Sequence, residues 1–456
     1  MIYLPRQNKG GENGMAIHLY DKFNYGKLLR FVLPSVIMMV FSSVYGVVDG
    51  LFVSNFVGKT AFASVNIIFP FIMIISTIGF MIGTGGSALV AKIYGEGDTK
   101  RANRVFSFLI YTTIVLGALF SIVGIIFIRP IAVLLGAEGE MVDICVTYGR
   151  IILSSLTAWM LQNVFQSFCV TAEKPTFGLV IMVAAGVTNM LLDLLFIAVF
   201  KWGVAGAALA TASSQLVGGL VPFLYFAFPN KSILKLTGCK IDFKVLCKTF
   251  TNGSSELMTN VSMSLVNILY NYKLMQQFGE NGVAAYGVIM YVAFIFISIF
   301  IGYSIGTAPI VSYNYGAKTN DELKNVFKKS LVIIGGCAIV LTLLAELSSP
   351  LLSSIFVGYD KELYELTRRA FSIYSISFIF AGFSIYASSF FTALNDGLVS
   401  AIISFMRTFV FQVASVLTVP LILKNDGIWF SIVVAELASI IVCAAFLIKM
   451  RRRYQY

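Results

Sequence analysis

Five ionisable residues stand inside otherwise apolar sequence: Asp49, Asp193, Glu256, Arg407 and Glu436. If those stretches cross a bilayer, each charge costs at least ~2.5–3.5 kcal/mol to bury. Charges retained at that cost face a cavity or a partner, and they mark paths for ions and substrates. Asn189 and Asp193 are four residues apart, so on a helix they share a face. The chain turns at Lys201-Trp202-Gly203, with Asp193 eight residues before Lys201 and Thr211 eight after Gly203. At ~1.5 Å per residue, both lie ~12 Å from that turn. Asp49 precedes the turn at 55–58 by six to nine residues, a similar depth. Asp49, Asn189, Asp193 and Thr211 can therefore converge at one level. Such hard oxygen ligands suit Na⁺, and two neighbouring carboxylates also suit a shared proton, because like charges disfavour double ionisation. The alternative is a buried polar cluster that only fixes helix packing.

The other three charges read less sharply. Glu256 follows Asn252-Gly253-Ser254-Ser255 and is either a functional acid or a carboxylate at a helix N-terminus, where the helix dipole favours it. Arg407 pairs with Glu436 or with Glu256, and a structural ion pair is the plainer reading. Glu346, near a helix end, is expected simply to meet water.

These residues need helices to hold them. The chain has 456 residues, 58% hydrophobic and only 12% charged, with a mean hydropathy of +0.86. Soluble proteins carry about 25% charged residues. The apolar residues recur in continuous blocks, not in the alternation of a membrane barrel. Twelve spans are expected, at roughly 28–53, 61–91, 105–128, 141–170, 176–200, 203–228, 249–276, 282–312, 327–350, 364–392, 397–422 and 426–449. This is an all-α polytopic membrane protein.

Lys and Arg concentrate in the N-terminal tail, 92–104, 230–248, 317–329 and the C-terminal "KMRRRYQY". The opposite loops hold fewer: Lys59, 136–143, Lys201, 279–282, 360–369 and Lys424. The positive-inside bias makes the rich set, and both termini, cytoplasmic. The expected division is a cytoplasmic tail 1–27, a first lobe 28–228, a cytoplasmic linker 229–248, a second lobe 249–449 and a tail 450–456. The tail 1–27 reads as flexible, and its His18, the only histidine, carries no expected role. The net charge of +11 sits in loops and does not imply nucleic acid. The six scattered cysteines have neither metal-ligand spacing nor a disulfide framework.

The sequence repeats itself. "IGFMIGT" (78–84) returns as "IGYSIGT" (301–307), and the "YG" at 94–95 as that at 315–316. Val105-Phe106, Thr171-Ala172 and Gly58 recur as Val326-Phe327, Thr392-Ala393 and Gly279, each at a shift of 221. Six spans per half place both halves in one orientation, related by a pseudo-two-fold axis along the membrane normal. Two such lobes across a cleft is an architecture of secondary transporters.

Several stretches carry a family resemblance: "VVDGLFVSNFVG" (47–58), "GTGGSALVAKIYGEGD" (83–98), "NMLLDLLFI" and "WGVAGAALAT" within 189–211, "NGSSEL" (252–257) and "GENGVAAYGVIMYV" (279–292). With these the chain resembles the multidrug and toxic compound extrusion (MATE) transporters, in a bacterial branch. The resemblance implies two six-helix lobes in a V, and export of organic cations in exchange for Na⁺ or H⁺. It implies that Asp49, Asn189, Asp193 and Thr211 form the ion and proton site of the first lobe. Many members carry an acid in the seventh helix, in a register that Glu256 does not clearly match.

A flippase for lipid-linked oligosaccharides, from the same superfamily, is the rival. It must hold a diphosphate and favours a basic cavity, whereas the spans here hold four acids and one base. A membrane-embedded enzyme would need clustered His or catalytic carboxylates beside a nucleophile, and the Walker pattern of an ATPase is absent. No cofactor beyond the coupling ion is expected. The expected partners are organic cations and the lipid bilayer, and the expected state is a monomer. Some of the 40 Phe and 21 Tyr should line the cleft, where ring faces hold a lipophilic cation.

Overall fold

The structure is a computed structural model that describes residues 17–456, so the expectation for the first sixteen residues of the tail lies outside the described residues. Its helices are α1 (Tyr25–Phe56), α2 (Lys59–Gly95), α3 (Thr99–Leu134), α4 (140–171), α5 (Pro175–Val199) and α6 (Gly203–Ala227), then α7 (243–278), α8 (280–317), α9 (Asn320–Val357), α10 (361–393), α11 (Gly397–Leu423) and α12 (Gly427–Tyr454). Helices α7 and α8 follow each other directly, as a run of 75 residues from Phe243 to Ala317. At ~1.5 Å per residue, that run is several times the ~30 Å of a bilayer core. Gly279 breaks it, with φ 61° and ψ −148°, a conformation that only glycine adopts without strain. All twelve expected spans are present, and most helices run several residues past their apolar blocks.

Two helices are broken at matching places. Helix α4 bends by 54° between Glu140–Ser154 and Leu156–Thr171, and α10 bends by 49° between Lys361–Ser375 and Phe378–Ala393. The preceding helix supports each bend: Ser121 of α3 donates to the Leu153 carbonyl at 2.5 Å. On α9, Glu346 accepts from Ser372 and from Ser375, the latter at 2.6 Å. Glu346 is thus a half-buried anchor rather than a group that merely meets water. It lies eleven residues inside α9, because that helix continues to Val357.

The lipid-facing surface is apolar. On α3, Val115, Leu119, Ile122 and Ile126 form an exposed stripe at helical spacing. The lobes meet along three antiparallel helix pairs, α1 with α8, α2 with α7 and α2 with α8. Gly302 and Gly306 of α8 lie against Ser35, Val36 and Val32 of α1, and Gly85 of α2 lies against Thr249 and Gly253 of α7. Farther along, Gly95 abuts Tyr313, and Gly316 abuts Lys92. A shift of 221 converts Gly95–Tyr313 into Gly316–Lys92, and Val32–Gly306 into Gly253–Gly85. The duplication seen in sequence is therefore also a two-fold relation in space. The α2 seam lies toward the end of the molecule that carries the termini. There Asn252 donates to the Gly85 and Thr392 carbonyls at 3.2 and 3.0 Å, and Asn395 donates to Ala88 at 3.4 Å.

The described part of the N-terminal tail differs from the sequence expectation. Residues 17–24 pack against the bundle, with Leu19 and Phe23 buried. At the other end Tyr454 and Tyr456 are buried, and the Tyr454 hydroxyl donates to Asp396 at 2.5 Å. Average polarity hid these few apolar anchors. Helix α7 starts at Phe243, not 249, because Asp242 caps it through the Lys244 and Val245 amides.

Candidate ion site

Helices α1, α5 and α6 bring Asp49, Asn189, Asp193 and Thr211 together. Asp49 adjoins Asp193, Asn189 and Thr211, and the Asn189 amide reaches the Thr211 hydroxyl at 3.5 Å. Asp193 and Asn189 are fully buried, while Asp49 and Thr211 are half-buried. The cluster is thus deepest at Asp193. Both Asp193 oxygens, one Asp49 oxygen and the Asn189 carbonyl oxygen are buried without a hydrogen-bond donor. Buried polar atoms are nearly always paired, so four unpaired oxygens at one point need an explanation. No oppositely charged side chain reaches either carboxylate among the described residues. The chemistry that satisfies this set is a small cation or a proton, since every unpaired atom is an acceptor.

Local structure aims Asp193 inward. Helix α5 is α-helical to Asp193 and then continues as a π turn, Leu194–Val199. Such bulges reorient side chains and recur at functional sites. The chain then reverses through Lys201 and Gly203, both at positive φ. Gly206 packs α6 against the π turn so closely that a methyl there would stand 3.1 Å from the Phe196 carbonyl oxygen.

Arg407 and Glu436 meet each other, not Glu256. The Arg407 Nε lies 3.0 Å from each Glu436 oxygen, and its terminal nitrogen lies 2.8 Å from one of them. Glu436 is buried in the second lobe and Arg407 is half-buried beside it, within a second π turn, Met406–Val410. The pair is separate from the Asp49–Asp193 cluster. Glu256 joins neither group. Helix α7 begins thirteen residues before it, so it is not a helix N-terminal carboxylate. It follows Asn252 and Gly253, which touch α2, by one turn on the same face. That places it beside the seam between the lobes.

Comparison with known proteins decides the family. The family model MatE matches residues 34–195 and again 257–417, once in each lobe. The chain belongs to the MatE family. It is a multi-pass membrane transporter, not an enzyme. Among similar MatE proteins is the "Multidrug export protein MepA" of Staphylococcus aureus, 24% identical over 427 residues and 92% of each chain. MepA of Staphylococcus saprophyticus is 24% identical over 373 residues, 80% of this chain and 82% of its own. A solved "outward-facing conformation of a multidrug resistance MATE family transporter" superposes with a TM-score of 0.90, 22% identity and 98% and 99% coverage. The MatE fold in two six-helix lobes is therefore common to this chain and that structure.

Sequence reasoning missed the ends of this MatE chain. His18 contacts Glu173, and Phe23 contacts Glu322, Asn325 and Lys329. The repeat could have pointed to Glu173, because it stands in the turn that follows the duplicated Thr-Ala pair.

Proposed function

We propose that this transporter exports lipophilic organic cations in exchange for Na⁺ or H⁺ by alternating access. The reading rests on the Asp49–Asp193 cluster, with its buried acceptors lacking donors. A carboxylate shielded from water gains more from a cation or proton than one in solution. Loading from the outer face satisfies Asp193, draws α1, α5 and α6 together and favours the state that has released cargo. Unloading toward the cytoplasm restores the cargo-binding state. In this scheme Glu256, beside the seam, meets a cationic cargo, while Arg407–Glu436 holds the second lobe rigid. The MepA relatives, named as multidrug exporters, support the class of cargo. The basic loops and both termini lie in the cytoplasm, following the positive-inside bias.

The test is efflux of an ethidium-like dye from proteoliposomes carrying a Na⁺ or a pH gradient, each imposed alone. Dye movement driven by one of these gradients supports the reading. Transport of lipid-linked diphosphates with indifference to cationic dyes overturns it in favour of a flippase.

A further inference from the structure

The segment before α1 bridges the two lobes. Its first contact is with the first lobe. The His18 Nδ1 lies 2.7 Å from one Glu173 oxygen, and the Leu19 amide donates to the other at 2.9 Å. Glu173 sits in the α4–α5 turn with φ 58°, a left-handed conformation uncommon for a residue with a side chain. Five residues later the same segment grips the second lobe. The Phe23 amide donates to Glu322 at 2.8 Å, and the Phe23 carbonyl accepts from Asn325 at 2.9 Å and Lys329 at 2.5 Å. Residues 322, 325 and 329 lie on one face of α9, so three polar side chains converge on the backbone N–H and C=O of one residue, Phe23. Leu19 and Phe23 are buried in a cluster that joins Val170 of α4 to Tyr303, Ile310 and Val311 of α8.

The duplication provides a counterpart. The linker before α7 crosses in the opposite sense, onto α3 of the first lobe. There the Lys235 amide donates to Asn103 at 3.0 Å and the Thr237 amide to Ser107 at 2.8 Å. Each lobe is thus entered by a segment that docks on the third helix of the other. The linker is a continuous covalent connection between the lobes. Residues 17–24 are held to the second lobe only by contacts that can open.

We propose that residues 17–24 form a latch that stabilises the closed seam at the terminus-bearing end and must release before the lobes part there. The proposal rests on the alternating-access reading above. Its bonds cross the lobes at Phe23, and the Tyr94–Tyr313 ring pair, with centroids 5.5 Å apart across the same seam, packs against the cluster that holds Leu19 and Phe23. Glu173 holds the far end of the segment and keeps Phe23 in register.

The experiment uses the full-length protein in nanodiscs with Cys239, Cys247 and Cys337, the cysteines that are not buried, replaced. Tyr94→Cys supplies the reporter, and its reaction rate with a maleimide is measured. The paired variant Asn325→Leu/Lys329→Met removes both donors to the Phe23 carbonyl, and Glu173→Ala removes the far anchor. Opening of the seam should rise, and with it the labelling rate, by roughly tenfold in each, the worth of one charge-assisted hydrogen bond. Both altered sites are polar and at the bundle end, and an unchanged melting temperature will show that the fold is intact. If one variant fails to fold, the other carries the test. Unchanged labelling in a folded variant overturns the latch. If the reporter stays unreactive in the unaltered latch background under every ion and cargo condition, while dye efflux proceeds, the lobes do not part at this end. That result overturns the alternating-access reading itself.

Discussion

In the first lobe, Asp49 and Asp193 lie side by side with no basic partner among the described residues. In the second, Arg407 closes on Glu436 through contacts of 2.8–3.0 Å. Both arrangements descend from one duplicated plan. A shift of 221 carries Asp49 onto Tyr270 and Thr211 onto Ile432, and it carries Glu436 back onto Gln215. Helix α11 has no acid at all; its only charged residue is Arg407. Each lobe has a π turn beside its interior charge, Leu194–Val199 after Asp193 and Met406–Val410 around Arg407. The seam glycines kept their relation while the lobe interiors diverged. A lobe whose charges are satisfied gains nothing from a passing cation, whereas one with unpaired acceptors does. Under the proposed function, ion coupling belongs to the first lobe and rigidity to the second.

The comparison breaks most visibly at its two acids. Asp193→Asn should reduce gradient-driven dye efflux to the uncoupled background while leaving membrane insertion and melting temperature intact, because it removes a buried charge with no partner. Asp49→Asn should behave alike. Full coupled efflux by an Asp193→Asn protein would move the coupling site to Glu256 or Glu436. Glu436→Gln should do the reverse. Removing one member of a buried ion pair leaves the other unpaired, at a cost of ~3–5 kcal/mol. The loss should appear as a lower melting temperature. The double change Arg407→Met/Glu436→Leu should restore stability, since apolar replacement of both partners is often neutral or better. Efflux retained in the double variant would confirm that the pair is structural, and coupling lost in a stable double variant would contradict the division.

How much of this was visible in the residues follows from range. Helix existence is a local property, so continuous apolar blocks showed all twelve spans. The convergence at Asp193 was also legible, because the turn at 201–203 sets the depths of Asp193 and Thr211 and the turn at 55–58 sets that of Asp49. The partner of Arg407 was not legible, since Glu256 and Glu436 are both far along the chain and only packing chooses between them. The role of Glu346 was hidden because hydropathy marks where lipid-compatible sequence ends, while α9 runs on to Val357. The latch was hidden for a related reason. Leu19 and Phe23 are two apolar residues among polar ones, too few to alter an average and enough to anchor a strand of chain.

A smaller effect tests whether the two halves of the seam are equal. A methyl at Gly253 would stand 2.1 Å from the Met81 carbonyl oxygen, which belongs to the α2 backbone and cannot yield. A methyl at Gly306, in the α1–α8 pair of the seam, would meet the Val32 Cγ1 at 2.6 Å and the Val32 Cα at 3.1 Å, a looser approach than that at Gly253. Overpacking costs ~1–3 kcal/mol, and the backbone clash should lie at the upper end. Gly253→Ala should therefore weaken crosslinking of a Tyr94→Cys/Tyr313→Cys pair more than Gly306→Ala does. Equal loss in both would mean that the seam is uniformly tight and that the lobes do not differ there.

The finest prediction separates the two coupling ions. Thr211 contributes a neutral hydroxyl to the cluster, 3.5 Å from the Asn189 amide. A sodium ion needs several oxygen ligands at once, so loss of that hydroxyl removes part of its shell. A proton needs a single carboxyl oxygen, and Thr211 is then only a neighbour. If Na⁺ is the coupling ion, Thr211→Ala should raise the Na⁺ concentration for half-maximal efflux by roughly tenfold, as expected for the loss of one interaction with a charge. Thr211→Ser, which keeps the hydroxyl, should restore it. If H⁺ is the ion, both variants should follow the same pH profile as the unaltered protein. Ile432→Thr supplies the control from the other lobe: it places a hydroxyl at the repeat position, where Tyr270 stands in place of Asp49 and no acid lies on α11. It should leave the ion dependence unchanged. A shift in ion dependence from Ile432→Thr would show that the second lobe still takes part in coupling, and it would erase the contrast between the lobes.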